Sequence, residues 1–418
     1  MSLDSIARDV TRRARDASER LAELPSDQKD SVLRLAADRL EESNAEIRDA
    51  NGRDLDTGRT EGIPAPMLDR LELTDARIAS MAQGLRDIAA LPDPVGEVTR
   101  LARRPSGLQV GRMRIPLGVI LVIYESRPNV TADVGALCLK SGNAALLRGG
   151  SEALNSNRSI EQILRGAALE RGAPEDAIQL VPSQDRALVD LLLDRDEEID
   201  LVMPRGGEAL IRRVAERSRI PVIKHYKGVC HVYLDRHADP KMARSIAINS
   251  KCQRVSVCNA AETLLVHASL TETLLPDLLA ELHGLGVELR GCERTCAAFP
   301  EAAPASEEDW GEEYLAMTLA VRVVDSMDQA IEHIRRFGSN HTEVIVTEDL
   351  RSAHEFVRRV NSSSVFVNAS TRFSDGFQLG LGAEVGVSTT KIHAYGPMGL
   401  EGLTTQKFIG FGDGTVLE

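Results

Sequence analysis

The chain has 418 residues, of which 43% are hydrophobic and 27% charged, and its 50 Lys and Arg against 63 Asp and Glu give a formal net charge of −13. This length suits two or three domains rather than one core, and the acidic balance argues against nucleic-acid binding, which relies on clustered cations. Six scattered cysteines without disulfide spacing, a charged opening segment and no apolar run near the roughly 18 residues of a membrane helix point to a reducing, cytoplasmic setting and no membrane partner.

The first 90 or so residues predict helices. Ile6, Val10, Ala14, Ala17 and Leu21 recur at three and four. A second helix starts near Pro25-Ser26, carries Val32, Leu35, Ala36 and Leu40 on one face, and is expected to stop at Asn51-Gly52; a third starts at Thr74. Between 96 and 114 the pattern shortens around the turn signal Pro105-Ser106-Gly107, which predicts a hairpin of the kind that serves as an interaction arm. The branched apolar run 117–124 follows, as expected of a strand buried on both faces of a parallel sheet. Strand candidates at 144–147, 178–181, 199–203 and 221–223 alternate with helical patterns from Pro128, Ser151, Gln184 and Gly206, implying right-handed crossovers in a doubly wound sheet. After a hinge signal at Lys227-Gly228 a second alternation begins, with strands at 230–234, 263–267, 319–324, 344–346 and 364–368 and helices from Asp239 and Ser269. The stretch 376–386 is glycine-rich, and 403–411 predicts a terminal strand.

Chemistry concentrates in residues 249–263, a helix-to-strand junction holding Cys252 and Cys258. A thiol there, with Lys251 and Arg254 nearby, has the positive charge and backbone N–H groups that favour a nucleophilic thiolate. Either cysteine could equally be a small buried apolar residue. Two strand-to-helix loops, Arg148-Gly149-Gly150-Ser151 and Arg205-Gly206-Gly207, place glycines and an arginine where a helix start can meet a phosphate. Neither has the GxGxxG spacing, and Gly380-Leu381-Gly382 lies too far downstream to serve as a cofactor fingerprint. Cys292 and Cys296 with His283 lack a second ligand pair, so no metal is expected. His225, His341 and His354 each stand alone, and there is no GxSxG elbow.

Long motifs carry a resemblance: Tyr124-Glu125-Ser126-Arg127-Pro128-Asn129-Val130-Thr131, Lys140-Ser141-Gly142-Asn143, Lys224-His225-Tyr226-Lys227-Gly228, Gln253-Arg254 through Val257-Cys258-Asn259-Ala260, and Val367-Asn368-Ala369-Ser370-Thr371-Arg372-Phe373-Ser374-Asp375-Gly376. Together they resemble the aldehyde dehydrogenase superfamily, and within it the branch that reduces γ-glutamyl phosphate. The resemblance implies an α/β, aldehyde dehydrogenase-like fold: a Rossmann-type NADPH-binding domain (1–95 and 115–228), an α/β catalytic domain (229–399), and a small β arm for oligomerisation (96–114 and 400–418). It maps the nucleophile to Cys258 and makes Cys252, where the family usually has Thr, a bystander. Asn259 and nearby backbone N–H groups become candidates for the oxyanion, and Ser126 aligns with a superfamily Asn of related role.

His225 stands where hydrolytic members carry a water-activating Glu, which suits a thioester that is reduced rather than hydrolysed. Arg148 is implied near the 2′-phosphate of NADP, with Gly149, Gly150, Ser151, Arg205, Gly206 and Gly207 around the cofactor and Glu313 on the nicotinamide ribose. Arg127 and Arg372 are implied for the substrate carboxylate. The implied reaction is NADPH-dependent conversion of glutamate 5-phosphate to glutamate 5-semialdehyde and phosphate in proline biosynthesis, in a homo-oligomer supplied by a glutamate kinase. A CoA-acylating aldehyde dehydrogenase and an inactive nucleotide-binding scaffold are the alternatives, and a cysteine protease or amidase lacks a placed histidine.

Overall fold

Helix signals at the amino end act locally. Ser2 caps Leu3–Ala22 (α1) by accepting the Ser5 N–H at 3.2 Å, and Thr74 caps Asp75–Ala90 (α5) in the same way. Between them lie Ser26–Glu42 (α2), Asn44–Thr60 (α3) and Ala65–Leu71 (α4). The expected stop at Asn51-Gly52 does not occur: the break falls at Ser43, and Asn51 lies inside α3. The buried Asn51 amide donates to Leu71 O at 2.8 Å and Ser156 Oγ at 3.1 Å while its Oδ1 accepts the Leu73 N–H at 2.8 Å. These distant partners outweigh the turn preference of Asn-Gly.

The computed structural model describes residues 2–417, and the chain forms two compact units. One runs through Lys224 and regains Leu381–Gly386 and the stretch from Met398 onward; the other comprises His225–Gly380 and Val387–Pro397. Residues 381–386 join the first unit because Val385 N donates to Met398 O, Met398 N donates to Gly386 O, both at 2.9 Å, and Gly382 packs on Leu91. Among the described residues no helix is long and apolar enough to cross a membrane.

In the first unit Val98–Arg103 (β1) and Gln109–Pro116 (β2) form the hairpin, and the terminal strand Thr404–Phe411 pairs antiparallel with β2 along its whole length. Val119–Tyr124 (β3) is buried at every position. Asn129–Lys140 (α6), Ala144–Gly149 (β4), Leu154–Glu170 (α7), Ile178–Leu180 (β5), Arg186–Leu193 (α8), Leu201–Arg205 (β6) and Glu208–Arg217 (α9) follow. The sheet is all parallel, in the order β5-β4-β3-β6. The strand expected at 221–223 is reduced to one bridge, Val202 with Val222.

The second unit is built on Cys230–Leu234 (β7), Pro240–Cys252 (α10), Ala261–His267 (β8), Leu275–Gly284 (α11), Glu288–Gly291 (β9), Glu293–Ala298 (α12), Ala303–Pro304 (β10), Thr318–Val324 (β11), Met327–Phe337 (α13), Thr342–Val346 (β12), Leu350–Arg359 (α14) and Ser364–Val367 (β13). These give a seven-stranded parallel sheet, β10-β9-β11-β8-β7-β12-β13. Apolar clusters cover both faces, one around Leu234, Leu264, Leu278 and Val344, the other around Tyr233, Leu265, Ile331 and Phe356. The helix expected from Ser269 starts later, at Leu275, because His267 Nδ1 accepts the Ser269 N–H at 3.1 Å and holds a short 3-10 turn at 268–270.

Candidate active site

In the first unit the chain runs from β3 outward to β4 and β5, then crosses back to place β6 on the other side of β3. An open α/β sheet has its ligand crevice at such a reversal, outside the carboxyl ends of the strands. Here Tyr124 of β3 lies in register with Arg205 of β6, and Gly207 caps α9, with nothing within 4 Å of where a Cβ would stand. Glu125 bridges the two strand ends: its N–H donates to Arg205 O at 3.2 Å, and its Oε2 accepts the Gly207 N–H at 3.3 Å. A Cβ on Gly206 would meet that same oxygen at 2.5 Å.

The loop after β4 is arranged similarly. Gly149 lies against the Asn157 amide and Gly150 against the Glu152 carboxylate, where a Cβ would stand 2.1 and 2.2 Å away respectively. Glu152 Oε1 accepts both the N–H and the Oγ–H of Ser126, at 2.6 and 2.9 Å. Ser126 is buried and holds a left-handed φ of 46°. Both of its donors therefore face a carboxylate. Ser151 is exposed and Arg127 stands on the exposed loop after β3. Arg148 is half-buried: Nη1 donates to Gly149 O at 3.0 Å, Nη2 to Gln184 O at 2.8 Å, and its buried Nε has no partner. Burial lowers its pKa, yet so basic a group keeps its charge. Arg205 packs over Gly386, where a Cβ would come within 2.5 Å of its Nη1.

In the second unit residues 249–263 join α10 to β8. Lys251 and Glu262 close the junction from its two ends, Nζ to Oε2 at 2.5 Å, with both side chains fully buried. Burial pushes the Glu262 carboxyl up to about 7 against the pull of Lys251, and burial likewise lowers Lys251. Lys251 is thus an internal brace on Glu262, and its charge still acts to lower the Cys252 thiol, against the larger effect of burial. Glu262 Oε1 also accepts the Leu315 N–H at 3.2 Å, and Leu315 has a φ of 50°. That bond anchors the loop bearing the half-buried Glu313, whose neighbour Glu312 pairs with Lys227 at 3.1 Å.

The two thiols of the junction differ. Cys252 packs against the apolar cluster under α10, and burial raises its pKa. Cys258 is half-buried in the turn before β8. Gly228 abuts it so closely that a Cβ there would stand 2.2 Å from Cys258 O. That carbonyl accepts a hydrogen bond from the buried Cys230 thiol at 3.2 Å. Asn259 is buried, and its Nδ2 donates to Ser374 O at 2.9 Å and, more weakly, to Arg372 O at 3.5 Å. Its side-chain N–H groups are turned to these carbonyls and hold the 372–374 loop. Arg372 donates from Nε to Gln253 Oε1 at 2.9 Å. Its pKa is lowered first by burial and then by Arg254, with Asp375 and, after it, Cys258 acting in the opposite sense. The His225 ring stands 6.0 Å from that of His341, edge to face. His341 is fully buried, held to a pKa of about 3 by burial, and its Nδ1 lies 3.6 Å from Cys230 Sγ.

Residues 4–294 match the model of the aldehyde dehydrogenase family. The chain belongs to this family. Within the aldehyde dehydrogenases it is 54% identical over 417 residues to a γ-glutamyl phosphate reductase of Geobacter metallireducens, covering 100% of both chains. The crystal structure of a γ-glutamyl phosphate reductase from Thermotoga maritima superposes with a TM-score of 0.96 at 43% identity, over 99% of this chain and 100% of that one. An acetylating aldehyde dehydrogenase from Geobacillus thermoglucosidasius shares the fold, with a TM-score of 0.70 at 16% identity over 100% of this chain and 98% of that one.

Sequence reasoning about this aldehyde dehydrogenase missed Glu125, Glu152, Gly228 and Cys230. Glu125 lies inside the 124–131 motif and Glu152 next to the 148–151 loop, but nothing in their spacing singles out either carboxylate. The hinge signal at Lys227-Gly228 lies just past the boundary between the units, at Lys224 and His225, and Gly228 is in addition required by the approach of the Cys258 backbone.

Proposed function

We propose that this chain reduces γ-glutamyl phosphate to glutamate 5-semialdehyde and phosphate, with NADPH as reductant and a thioester on Cys258 as intermediate, in the pathway to proline. The full-length 54% identity to a γ-glutamyl phosphate reductase carries this reading. The Cys258 thiolate attacks the γ-acyl carbon, the carbon–oxygen bond to phosphate breaks, and inorganic phosphate leaves. Arg372, whose Nε donates to Gln253, attracts the anionic substrate by its charge. The Ala260 N–H is held by Val257 O at 3.1 Å, so the backbone N–H of Asn259 is the donor of this turn that stabilises the tetrahedral oxyanion. After reduction the carbon–sulfur bond breaks and the thiolate is restored.

A bound nicotinamide dinucleotide phosphate supplies the hydride. The residues of the first unit fit such a group: Gly206 and Gly207 at the start of α9 for the pyrophosphate, and Arg148, with a buried Nε lacking a partner, for the 2′-phosphate. Glu125 and Glu152 must release their N–H groups for phosphate to take them. In the reverse direction the acceptor of the acyl group decides the reading: NADP reduction by glutamate semialdehyde should require inorganic phosphate, and CoA should not replace it. Turnover with CoA and none with phosphate would overturn it.

A further inference from the structure

We propose that Cys230 is a positioning residue for the nucleophile, its S–H holding the Cys258 carbonyl and so fixing the plane of the Cys258–Asn259 peptide. The inference rests on the reading of Cys258 as the nucleophile. Cys230 is the first residue of β7, fully buried, and its Sγ lies 3.2 Å from Cys258 O. Two residues earlier Gly228 brings its backbone against the same peptide, where a Cβ would stand 2.8 Å from Cys258 Cα and 2.9 Å from its carbonyl carbon. The β7–β8 pairing slips beside this point, from Cys230 opposite Ala261 to His231 opposite Thr263, leaving Glu262 as the extra residue. A bulge of this kind re-aims the strand end that carries it.

The geometry has a directional consequence. In a trans peptide the carbonyl and the following N–H point to opposite sides. A Cys258 carbonyl turned to Cys230 therefore turns the Asn259 N–H away from Cys230. The next side chain is fixed separately, by Asn259 Nδ2 on Ser374 O. The turn is thus held on both sides, and Cys230 supplies the hold on the nucleophile's own carbonyl. Burial keeps the Cys230 thiol protonated, so it stays a donor and adds no second negative charge beside Cys258. His341 Nδ1 on its other flank, at 3.6 Å, is hydrogen-bonded to Thr342 Oγ1 at 2.8 Å.

The plain alternative is that Cys230 only fills space, as buried thiols often do. Cys230→Ala and Cys230→Val remove the donor, one leaving space and one filling it; Cys230→Ser keeps the donor. Each full-length variant is assayed for kcat and for KM of NADPH, and for the rate at which iodoacetamide alkylates Cys258, with circular dichroism confirming the fold. We expect kcat and the alkylation rate to fall roughly tenfold in Cys230→Ala and Cys230→Val with KM little changed, and Cys230→Ser to recover most of the loss. Undiminished kcat and alkylation in Cys230→Val, or a loss in Cys230→Ser as large as in Cys230→Ala, would overturn the proposal. Cys258→Ala separates the two readings: activity surviving in Cys258→Ala defeats the nucleophile assignment, whereas its loss there with Cys230→Val fully active defeats only the present inference.

Discussion

Gly228→Ala offers the sharpest mechanical test of how the Cys258 turn is held. Gly228 does not sit in the left-handed region, so an alanine is compatible with its backbone angles and the effect is one of space alone. The new Cβ would stand 2.2 Å from Cys258 O, 2.8 Å from its Cα and 2.9 Å from its carbonyl carbon. A carbon–oxygen contact needs about 3.3 Å, so the Cys258 carbonyl must retreat by roughly 1 Å. All three atoms are backbone, and no side-chain rotation relieves them. Cys230 Sγ, 3.2 Å from the same oxygen, restricts the retreat. A displacement of that size at a reacting group costs about 100-fold in rate, and overpacking of this kind costs about 1–3 kcal/mol of stability. The assay is kcat with saturating NADPH beside the alkylation rate of Cys258, with urea unfolding for stability. Gly52→Ala serves as the control, since nothing lies within 4 Å of a Cβ at that position in α3; it should leave kcat unchanged and add about 0.5–1 kcal/mol. A Gly228→Ala enzyme within twofold of the parent in kcat and alkylation would refute the reasoning.

Three other perturbations follow from the same site. Lys251→Met leaves the fully buried Glu262 without its cation and should cost about 3–5 kcal/mol in urea unfolding. A carboxyl raised in the folded state contributes stability that is present below its unfolded value and lost as pH rises to its folded value, about 7 in the parent; without Lys251 the folded value rises further, so the deficit of the variant should grow as pH rises above about 7, and a deficit independent of pH would contradict the buried-pair description. His341, held to about 3, excludes a proton that the unfolded chain binds below about 6.5; its stabilising contribution is present above that value and is lost as pH falls, by about 2 kcal/mol at pH 5. His341→Asn should therefore flatten the acid limb of the stability profile, and equal slopes in parent and variant would count against it. Arg148→Ala should raise KM for NADPH by about tenfold with kcat little changed, and an unaltered KM would reduce Arg148 to a brace between Gly149 O and Gln184 O.

The alternation of strands and helices was legible because strands of a parallel sheet, covered on both faces, are short apolar runs: the strand expected at 230–234 is β7 itself, and the run at 117–124 contains β3. Local rules failed where distant partners decide, as at Asn51, whose turn preference yields to bonds with Leu71, Leu73 and Ser156. In the candidate site the surroundings of single residues were hidden in tertiary contacts. Lys251, expected to lend its charge to a neighbouring thiol, is buried on Glu262, while Arg372, far along the chain, comes to the same junction and donates to Gln253. Cys252 and Cys258 are alike as residues and separate only in packing, one on the apolar cluster under α10 and the other in the turn. Glu125 and Glu152 show the same limit, since no spacing rule says which N–H a carboxylate will reach.

The most direct test of the central claim is phosphate-dependent reduction of NADP by glutamate semialdehyde, followed spectrophotometrically in the parent, Cys258→Ala and Cys252→Ala enzymes. The account expects phosphate-dependent turnover in the parent, its abolition in Cys258→Ala and its retention in Cys252→Ala. Turnover that persists without Cys258, or is lost only with Cys252, would contradict it.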